Sequence, residues 1–220
     1  MPIRHFLQHR LPPARKFPPG RPVVYHEQIF TGTFALNDAH ACGACRNNTV
    51  CNNENLIIVA GNTTVHAVDL EEYLDQFRGT AAEFHGARCD FLLYDDCLSG
   101  PPGKIAFCDL TCSDSSYIGP NNGKYPQGKR IHAFNQMRTS MTALIQSEVM
   151  LGLAILSRSR RQLIFAWRDP ARPHADNAER NMMLFSTTPA TDEPILQSLQ
   201  SSAGYGFEFV QIKYDQPYLW

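Results

Sequence analysis

Two apolar stretches, Cys89-Asp-Phe-Leu-Leu-Tyr-Asp95 and Lys104-Ile-Ala-Phe-Cys-Asp-Leu-Thr111, decide the fold of this chain of 220 residues. Both consist mainly of the aliphatic and aromatic side chains that favour strands. The segment Ser99-Gly-Pro-Pro-Gly103 between them is rich in the residues that reverse the chain in tight turns. The sequence therefore predicts that the two stretches pair as an antiparallel hairpin.

Helices are predicted on both sides of this hairpin. Before it, apolar residues at spacings of three and four indicate an amphipathic helix, for which Asp69 is the expected N-cap. These apolar residues are Leu70, Tyr73, Leu74 and Phe77. After the hairpin, apolar residues continue at helical spacing over residues 129–156 and predict one long helix.

Further apolar stretches predict the remaining elements. Strands are expected at residues 56–59, 81–84, 162–167 and 207–213, and helices near residues 177–185 and 193–202. Residues 69–167 then have the order helix, strand, strand, strand, helix, strand. We therefore expect one α/β domain over residues 31–220, with a mixed central sheet flanked by helices and its core in residues 69–167.

The first 30 residues differ in composition from the rest, because they are rich in proline and basic residues. Proline fixes φ and removes a backbone donor, so it disfavours regular helix and inner strands. The residues concerned are Pro12, Pro13, Pro18, Pro19, Pro22, Arg4, Arg10, Arg15, Lys16 and Arg21. We expect residues 1–30 to form a basic arm that wraps the domain, contacts a protein partner or stays loose. Residues 1–25 of this arm should lack regular secondary structure.

The overall charge excludes some classes of protein. With a net charge of −1, the chain lacks the strong positive charge of a nucleic-acid coat protein or a polybasic membrane binder. Local basic groups remain compatible with binding a polyanion, although such groups are also typical of solvated helix ends. They are Lys124, Lys129 and Arg130, and Arg158, Arg160 and Arg161.

The sequence also gives an expectation for the cellular compartment. It contains no apolar run long enough to span a bilayer, and its first residues lack the apolar centre of a signal peptide. We therefore expect a cytoplasmic protein without a membrane partner. Seven cysteines cannot all pair within one chain, and no disulfide is expected in a reducing compartment.

A group of three cysteines leaves several alternatives open. Three interpretations apply to Cys42, Cys45 and Cys51. They are ordinary thiols, or they bind a zinc ion with His40 or His66 as the fourth ligand, or they form a redox group. The spacing lacks the second Cys-X-X-Cys pair that typifies structural zinc sites. The stretch after Cys45 also lacks the helix pattern that a redox motif needs.

The remaining cysteines flank the predicted hairpin. Cys89 and Cys108 are expected to pack inside it as small apolar groups. Cys112 with His132 or His85 is an alternative nucleophile and base for a hydrolase. No local sequence signature supports that alternative.

Two aspartates of the hairpin are the basis of the functional hypothesis. Asp90 lies at the start of the first strand and Asp109 near the end of the second, so the twisted hairpin is expected to bring their carboxylates to one edge of the sheet. Alternation places Asp109 and Thr111 on the same face. Paired carboxylates can hold Mg²⁺ or Mn²⁺, which activates water and stabilises charge on a phosphodiester.

A purely structural interpretation of the same aspartates also stands. Asp90 would then cap a turn, and Asp109 would accept a hydrogen bond from Ser113 or a loop amide. Asp109 lies in an otherwise apolar strand, where an unpartnered carboxylate is costly, and this favours a site.

This order of elements and acidic residues resembles the restriction-endonuclease-like, or PD-(D/E)XK, phosphodiesterase superfamily. Asp90 matches the first acidic position, and Asp109-Leu110-Thr111 matches the (D/E)-X-K triplet. Glu71 or Glu72 lies on the preceding helix, where some members place another metal ligand. Gln136 is similar to a glutamine that some members carry after the triplet, and the resemblance makes it a candidate catalytic residue. The resemblance implies a nuclease that acts on nucleic acid with Mg²⁺ or Mn²⁺, bound by Asp90, Asp109 and Glu72.

The triplet departs from the superfamily pattern at its last position. Thr111 stands where the lysine is expected, and threonine carries no positive charge. The lysine is known to move in this superfamily, so Lys104 or Lys129 is expected to supply the charge that orients water or stabilises the reacting phosphate. The alternative is a non-catalytic interaction module that keeps the fold with a degenerate site. The two interpretations differ in whether a lysine nitrogen approaches the aspartate pair.

Overall fold

The structure is a computed structural model that describes residues 3–36, 56–95, 103–112, 118–120, 125–168, 193–213 and 216–220. The helix predicted near residues 177–185 and the cysteines at 42, 45 and 51 lie outside these residues.

Two sheets are formed by the described residues. The strands are β1 (Glu27–Phe30), β2 (Thr33–Leu36), β3 (Leu56–Val59), β4 (Val65–Asp69), β5 (Phe91–Asp95), β6 (Lys104–Cys112), β7 (Arg160–Arg168), β8 (Glu208–Lys213) and β9 (Tyr218–Leu219). The larger sheet has the order β1-β4-β5-β6-β7-β8 and the smaller one the order β2-β3-β9. Neighbours from β1 to β6 are antiparallel, and β6, β7 and β8 run parallel. The predicted hairpin is confirmed as β5 and β6.

The helices are α1, α2 (Leu70–Asp75), α3 (Lys129–Ser147), α4 (Val149–Leu156) and α5 (Glu193–Ser202). Helix α1 consists of three consecutive stretches, Ile3–His5, a wider π-helical turn at Phe6–Arg10, and Leu11–Ala14. Helix α2 begins as predicted, because the Asp69 side chain accepts a hydrogen bond from the Glu72 amide at 2.8 Å. None of the helices within the described ranges combines the length and apolar character needed to cross a membrane.

The large sheet is buried on both faces. Along β6, Ile105 and Phe107 join the core shared with the helices, whereas Ala106, Cys108 and Leu110 join the core shared with the small sheet. This alternation is the period of two that strand geometry imposes. The predicted α/β class, a mixed central sheet flanked by helices, is confirmed, and the small sheet on its second face is an addition.

The prediction that residues 1–25 lack regular secondary structure is wrong. Helix α1 places Ile3, Leu7 and Leu11 in the main core, and the Tyr73 hydroxyl donates to the Leu7 carbonyl at 2.6 Å. Prolines 12 and 13 begin the last stretch, and the Leu7 carbonyl, the next acceptor of the π-helical turn, receives the Tyr73 hydroxyl in place of a residue 12 amide. The apolar residues of α1 therefore contribute to the core.

The predicted single helix over residues 129–156 is also wrong, because Glu148 separates α3 from α4. Its backbone is extended, with φ −148° and ψ 124°, and its carboxylate accepts from the Leu151 amide at 2.6 Å as the N-cap of α4. The apolar face does not continue across the break, since Val149 and Leu153 are 75% and 55% exposed.

The strand predicted at residues 81–84 is absent from the structure. The Ala82 and Glu83 amides instead donate to the Thr80 hydroxyl and carbonyl at 3.1 and 3.2 Å, which forms a turn. Ala82 and Phe84 are nevertheless buried, and the Phe84 ring lies 5.1 Å from that of Phe77. Their apolar character thus reflects packing in the core, where Phe84 contacts Phe77 just after α2, and not strand pairing.

Candidate functional site

Asp90 and Asp109 lie next to each other where the β5–β6 ladder ends. Phe91 pairs with Cys108, so extending this register by one residue puts Asp90 opposite Asp109. The Leu110 amide donates to Asp90 Oδ2 at 2.6 Å, so the Asp90 carboxylate takes the place of a backbone acceptor at the end of the ladder. Register and this hydrogen bond together fix the two acidic residues relative to each other.

A cavity of about 160 Å³ opens beside the two aspartates, on the face of the sheet that carries α3. Its described lining residues are Asp90, Asp109, Leu110, Thr111, Tyr125, Lys129, His132, Gln136 and Phe165. The three lining residues from α3 are three and four positions apart and so share one helix face. Asp109 is 6% exposed, which makes the floor of the cavity a nearly buried carboxylate.

Lys129, the first residue of α3, reaches into this cavity. Its Nζ donates to Thr111 Oγ1 at 2.8 Å and lies 5.7 Å from the centroid of the Tyr125 ring. Thr111 is on the same face of β6 as Asp109, two residues further along. The ammonium group therefore lies beside the position that the lysine of a (D/E)-X-K triplet would occupy.

The start of α3 is placed by a close backbone contact. Gly128 has φ 86° and ψ 156°, and a Cβ atom there would lie 2.5 Å from backbone atoms of Ile118 and Gly119. The Arg130 amide donates to the Ile118 carbonyl at 3.2 Å. A glycine at position 128 thus lets α3 begin against residues 118–119 and directs Lys129 toward β6.

Two further α3 side chains hold the segment that precedes Asp90. Gln136 Nε2 donates to the Arg88 carbonyl at 2.7 Å, and Ser140 Oγ accepts from the Cys89 amide at 3.0 Å. Gln136, which was predicted as a catalytic residue, lines the cavity and also fastens this segment. From the other side, the Arg88 guanidinium forms an ion pair with Asp75 of α2.

Glu72 and Lys104 do not line the cavity. The Leu70 and Glu71 amides donate to the Asp90 carbonyl at 2.8 and 3.3 Å, so the start of α2 is close to Asp90. The Glu72 carboxylate is nevertheless directed to His26, whose Nε2 lies 3.3 Å from Glu72 Oε1. Lys104 lies at the opposite end of β6, with its Nζ 6.0 Å from the centroid of the Trp220 ring.

Burial makes Cys89 and Cys108 poor nucleophiles. Cys89 and Cys108 are free and buried, and burial raises the pKa of both thiols. The charges of Asp90 and Asp109 raise these pKa values further. The side chain of Cys112, the alternative nucleophile, is outside the described residues.

Metal binding at the two aspartates would need further ligands besides the described carboxylates. Within the described part of the chain, no three His, Cys, Asp or Glu side chains form a group that could hold one metal ion. His66, an alternative zinc ligand, has its Nδ1 3.0 Å from Glu27 Oε1. Among the described residues, Asp90 and Asp109 supply two carboxylates to the cavity.

Sequence reasoning did not place Tyr125 and Phe165 at the site, and it considered His132 only as a base for cysteine. The Tyr125 and His132 rings have centroids 4.6 Å apart at an interplanar angle of 36°. The helical spacing of Lys129, His132 and Gln136 was the available signal for His132. Tyr125 carried no such signal, because it precedes the helix.

Comparisons with known proteins give no relative: no family model, curated protein or solved structure matches the chain. Function is therefore inferred from the residues of the cavity.

Proposed function

We propose that this protein is a metal-dependent nuclease-like enzyme that cleaves phosphodiesters of nucleic acid. The observation that carries the proposal is the Lys129 ammonium at 2.8 Å from Thr111 Oγ1, in the cavity that Asp90 and Asp109 also line. Two carboxylates and one lysine nitrogen are the functional groups of the PD-(D/E)XK motif that the sequence resembles. Lys129 would replace the missing lysine of the Asp109-Leu110-Thr111 triplet.

The connectivity around the cavity supports a restriction-endonuclease-like core. Strands β4, β5 and β6 are antiparallel neighbours, and α3 and α4 connect β6 to the parallel strand β7. In this assignment β4 is the first strand of the core and α2 is an addition between β4 and β5. Among the described residues, helix α1 is the helix before β4 along the chain, with β1, β2 and β3 between them. Asp90 then directly precedes the second strand of the core, β5, and Asp109 lies on the third, β6, as the resemblance requires.

The two carboxylates fit Mg²⁺ or Mn²⁺. Mg²⁺ prefers oxygen ligands and is usually held by one or two carboxylates, with waters and substrate phosphates in the remaining positions. Asp90 and Asp109 would hold the ion. Bound there, the metal would act as a Lewis acid and lower the pKa of a bound water.

The other residues of the cavity would position charge. The Lys129 ammonium would stabilise negative charge that develops on the phosphate. This electrostatic stabilisation is strongest in a site from which water is partly excluded. Thr111 would hold this ammonium through its hydroxyl. Gln136 and Ser140 would keep Asp90 in place by holding the backbone of Arg88 and Cys89.

Metal binding is the first test of the proposal. We expect Mn²⁺ or Mg²⁺ titrated into the protein to give a binding isotherm by calorimetry, and we expect Asp109→Asn to abolish it while circular dichroism shows an intact fold. Glu72→Gln is the matched control, because its carboxylate faces His26. Equal binding by wild type and Asp109→Asn would remove the metal site from this cavity.

Cleavage is the second test. Lys129→Met should lower the rate of cleavage of a fluorescent oligonucleotide by about 100-fold or more, the effect of one transition-state charge contact, while metal binding persists. Lys104→Met is the control, since Lys104 lies at the other end of β6. Metal binding without cleavage of any DNA or RNA substrate would favour the non-catalytic interaction module.

A further inference from the structure

A second concavity lies directly beside the aspartate cavity. It has a volume of about 440 Å³ and is lined by Tyr125, Pro126, Gln127, Gly128, His132 and Asn135. Tyr125 and His132 line both spaces, so the two concavities share an aromatic wall. A ligand bound in one space can therefore extend directly into the other.

The two spaces differ in chemistry. The smaller one contains Asp90, Asp109 and the Lys129 ammonium, which suit a metal-bound anionic group. The larger one presents the Tyr125 ring together with the exposed side chains of Pro126, His132 and Asn135. Flat aromatic rings next to an amide side chain suit a planar heterocycle that stacks and accepts or donates hydrogen bonds.

We propose that this second concavity, the base groove, binds a nucleobase of the substrate while the adjoining phosphate lies at Asp90, Asp109 and Lys129. The proposal rests on the proposed function and specifies its substrate as single-stranded or unpaired nucleic acid. The volume is within the range of about 300–1,000 Å³ that is typical of small-molecule sites. Stacking on an aromatic side chain tolerates every base, because each base has a π-face.

A paired duplex fits this arrangement poorly. In a duplex both faces of a base are stacked on its neighbours, so a base must leave the stack before it can contact the Tyr125 ring.

The experiment compares the binding of four probes by fluorescence anisotropy in Ca²⁺. The probes are single-stranded DNA and RNA of about ten nucleotides, the corresponding DNA duplex, and an abasic DNA strand of the same length. Wild type should bind at least one single strand roughly tenfold more tightly than both the duplex and the abasic strand, the effect expected from stacking one base. Tyr125→Ala should lose this preference, and Tyr125→Phe should keep it. Tyr205→Ala is the control, because Tyr205 is an exposed tyrosine away from the cavity, where its hydroxyl accepts from Gln146.

The outcomes separate this proposal from the proposed function. If metal binds and cleavage occurs, but wild type prefers the duplex or Tyr125→Ala behaves like wild type, the base groove is overturned and the nuclease proposal stands. If Asp109→Asn binds metal like wild type, the nuclease proposal fails, whatever the oligonucleotide binding. Absence of binding to every single strand overturns the base groove.

Discussion

Gly128 is the residue on which the position of Lys129 depends. Its positive φ lies in the region that glycine adopts without steric penalty. Its α-carbon also faces the backbone of Ile118 and Gly119 so closely that a Cβ atom would lie 2.5 Å from a carbonyl oxygen. Both features need glycine at position 128.

Gly128→Ala should therefore destabilise the protein by about 2–4 kcal/mol, from backbone strain together with overpacking. Urea unfolding followed by circular dichroism measures this change. Gly119→Ala is the matched control, because a Cβ atom there meets no atom of the described residues within 4 Å, and it should change the stability by less than about 0.5 kcal/mol. Equal effects of the two substitutions would show that the contact does not hold the start of α3.

At the scale of single residues, the sequence predicted that Asp90 and Asp109 lie together, but it did not predict which lysine lies beside them. Strand alternation and the hairpin suffice to put Asp90 and Asp109 at one edge, and both line one cavity in the structure. The choice between Lys104 and Lys129 depends on where α3 begins relative to β6. That relation is set by the contact of Gly128 with residues 118–119, which no local pattern records.

Helix α3 is the element that ties the cavity together, because residues on one of its faces contact both β6 and the segment before β5. Ser140 and Gln136 are four residues apart and hold Cys89 and Arg88. Asp90 follows directly, so its position depends on these two hydrogen bonds.

Ser140→Ala should cost about 1–3 kcal/mol, because it leaves the buried Cys89 amide without its acceptor. The same substitution should weaken the binding of Mn²⁺, since Asp90 is the next residue. Ser157→Ala, on an exposed helix end, is the control for the stability measurement. Full stability together with unchanged Mn²⁺ binding would mean that Ser140 does not position Asp90.

The helices and strands that the sequence predicted correctly are those whose apolar residues recur at the period of the element's own buried face. Strand β4 was not predicted, because Val65-His-Ala-Val-Asp69 runs directly into α2 without a turn signal. The break at Glu148 was missed for a similar reason, since glutamate is not one of the preferred N-cap residues. In both cases long-range packing overrides the local pattern.

At the scale of the whole molecule, the buried carboxylate of Glu27 connects four parts of the chain. Its side chain is 4% exposed, and it contacts Arg4 of α1 at 3.3 Å and His66 of β4 at 3.0 Å. The hydroxyls of Tyr94 and Tyr25 donate to it at 2.5 and 3.1 Å. Burial by itself would raise the pKa of Glu27, but the hydrogen bonds from His66, Tyr94 and Tyr25 lower it overall.

This lowered pKa predicts a pH dependence of stability. A carboxyl group whose folded pKa lies below its unfolded value of 4.5 stabilises the fold above that pH, and the stabilisation is lost as the pH falls through the folded pKa. The unfolding free energy of wild type should thus fall more steeply below pH 4.5 than that of Glu27→Gln, as measured by urea unfolding between pH 3 and pH 7. Glu72→Gln, which alters an exposed carboxylate, should follow the wild-type curve. Parallel curves for wild type and Glu27→Gln would contradict the assignment.

Helix α1 makes its apolar residues part of the core shared with the helices, which the composition of this segment did not indicate. Prolines and basic residues suggested an arm, but the apolar residues between them recur at helical spacing and are buried. Leu7→Ala should therefore destabilise the protein by about 2–5 kcal/mol, the range for large-to-small changes in a packed core. His9→Ala, on the exposed side of the same helix, should have an effect below about 0.5 kcal/mol. Urea unfolding of both variants gives the comparison. A loose arm would give equally small effects for the two substitutions, whereas an integral helix requires them to differ by several-fold.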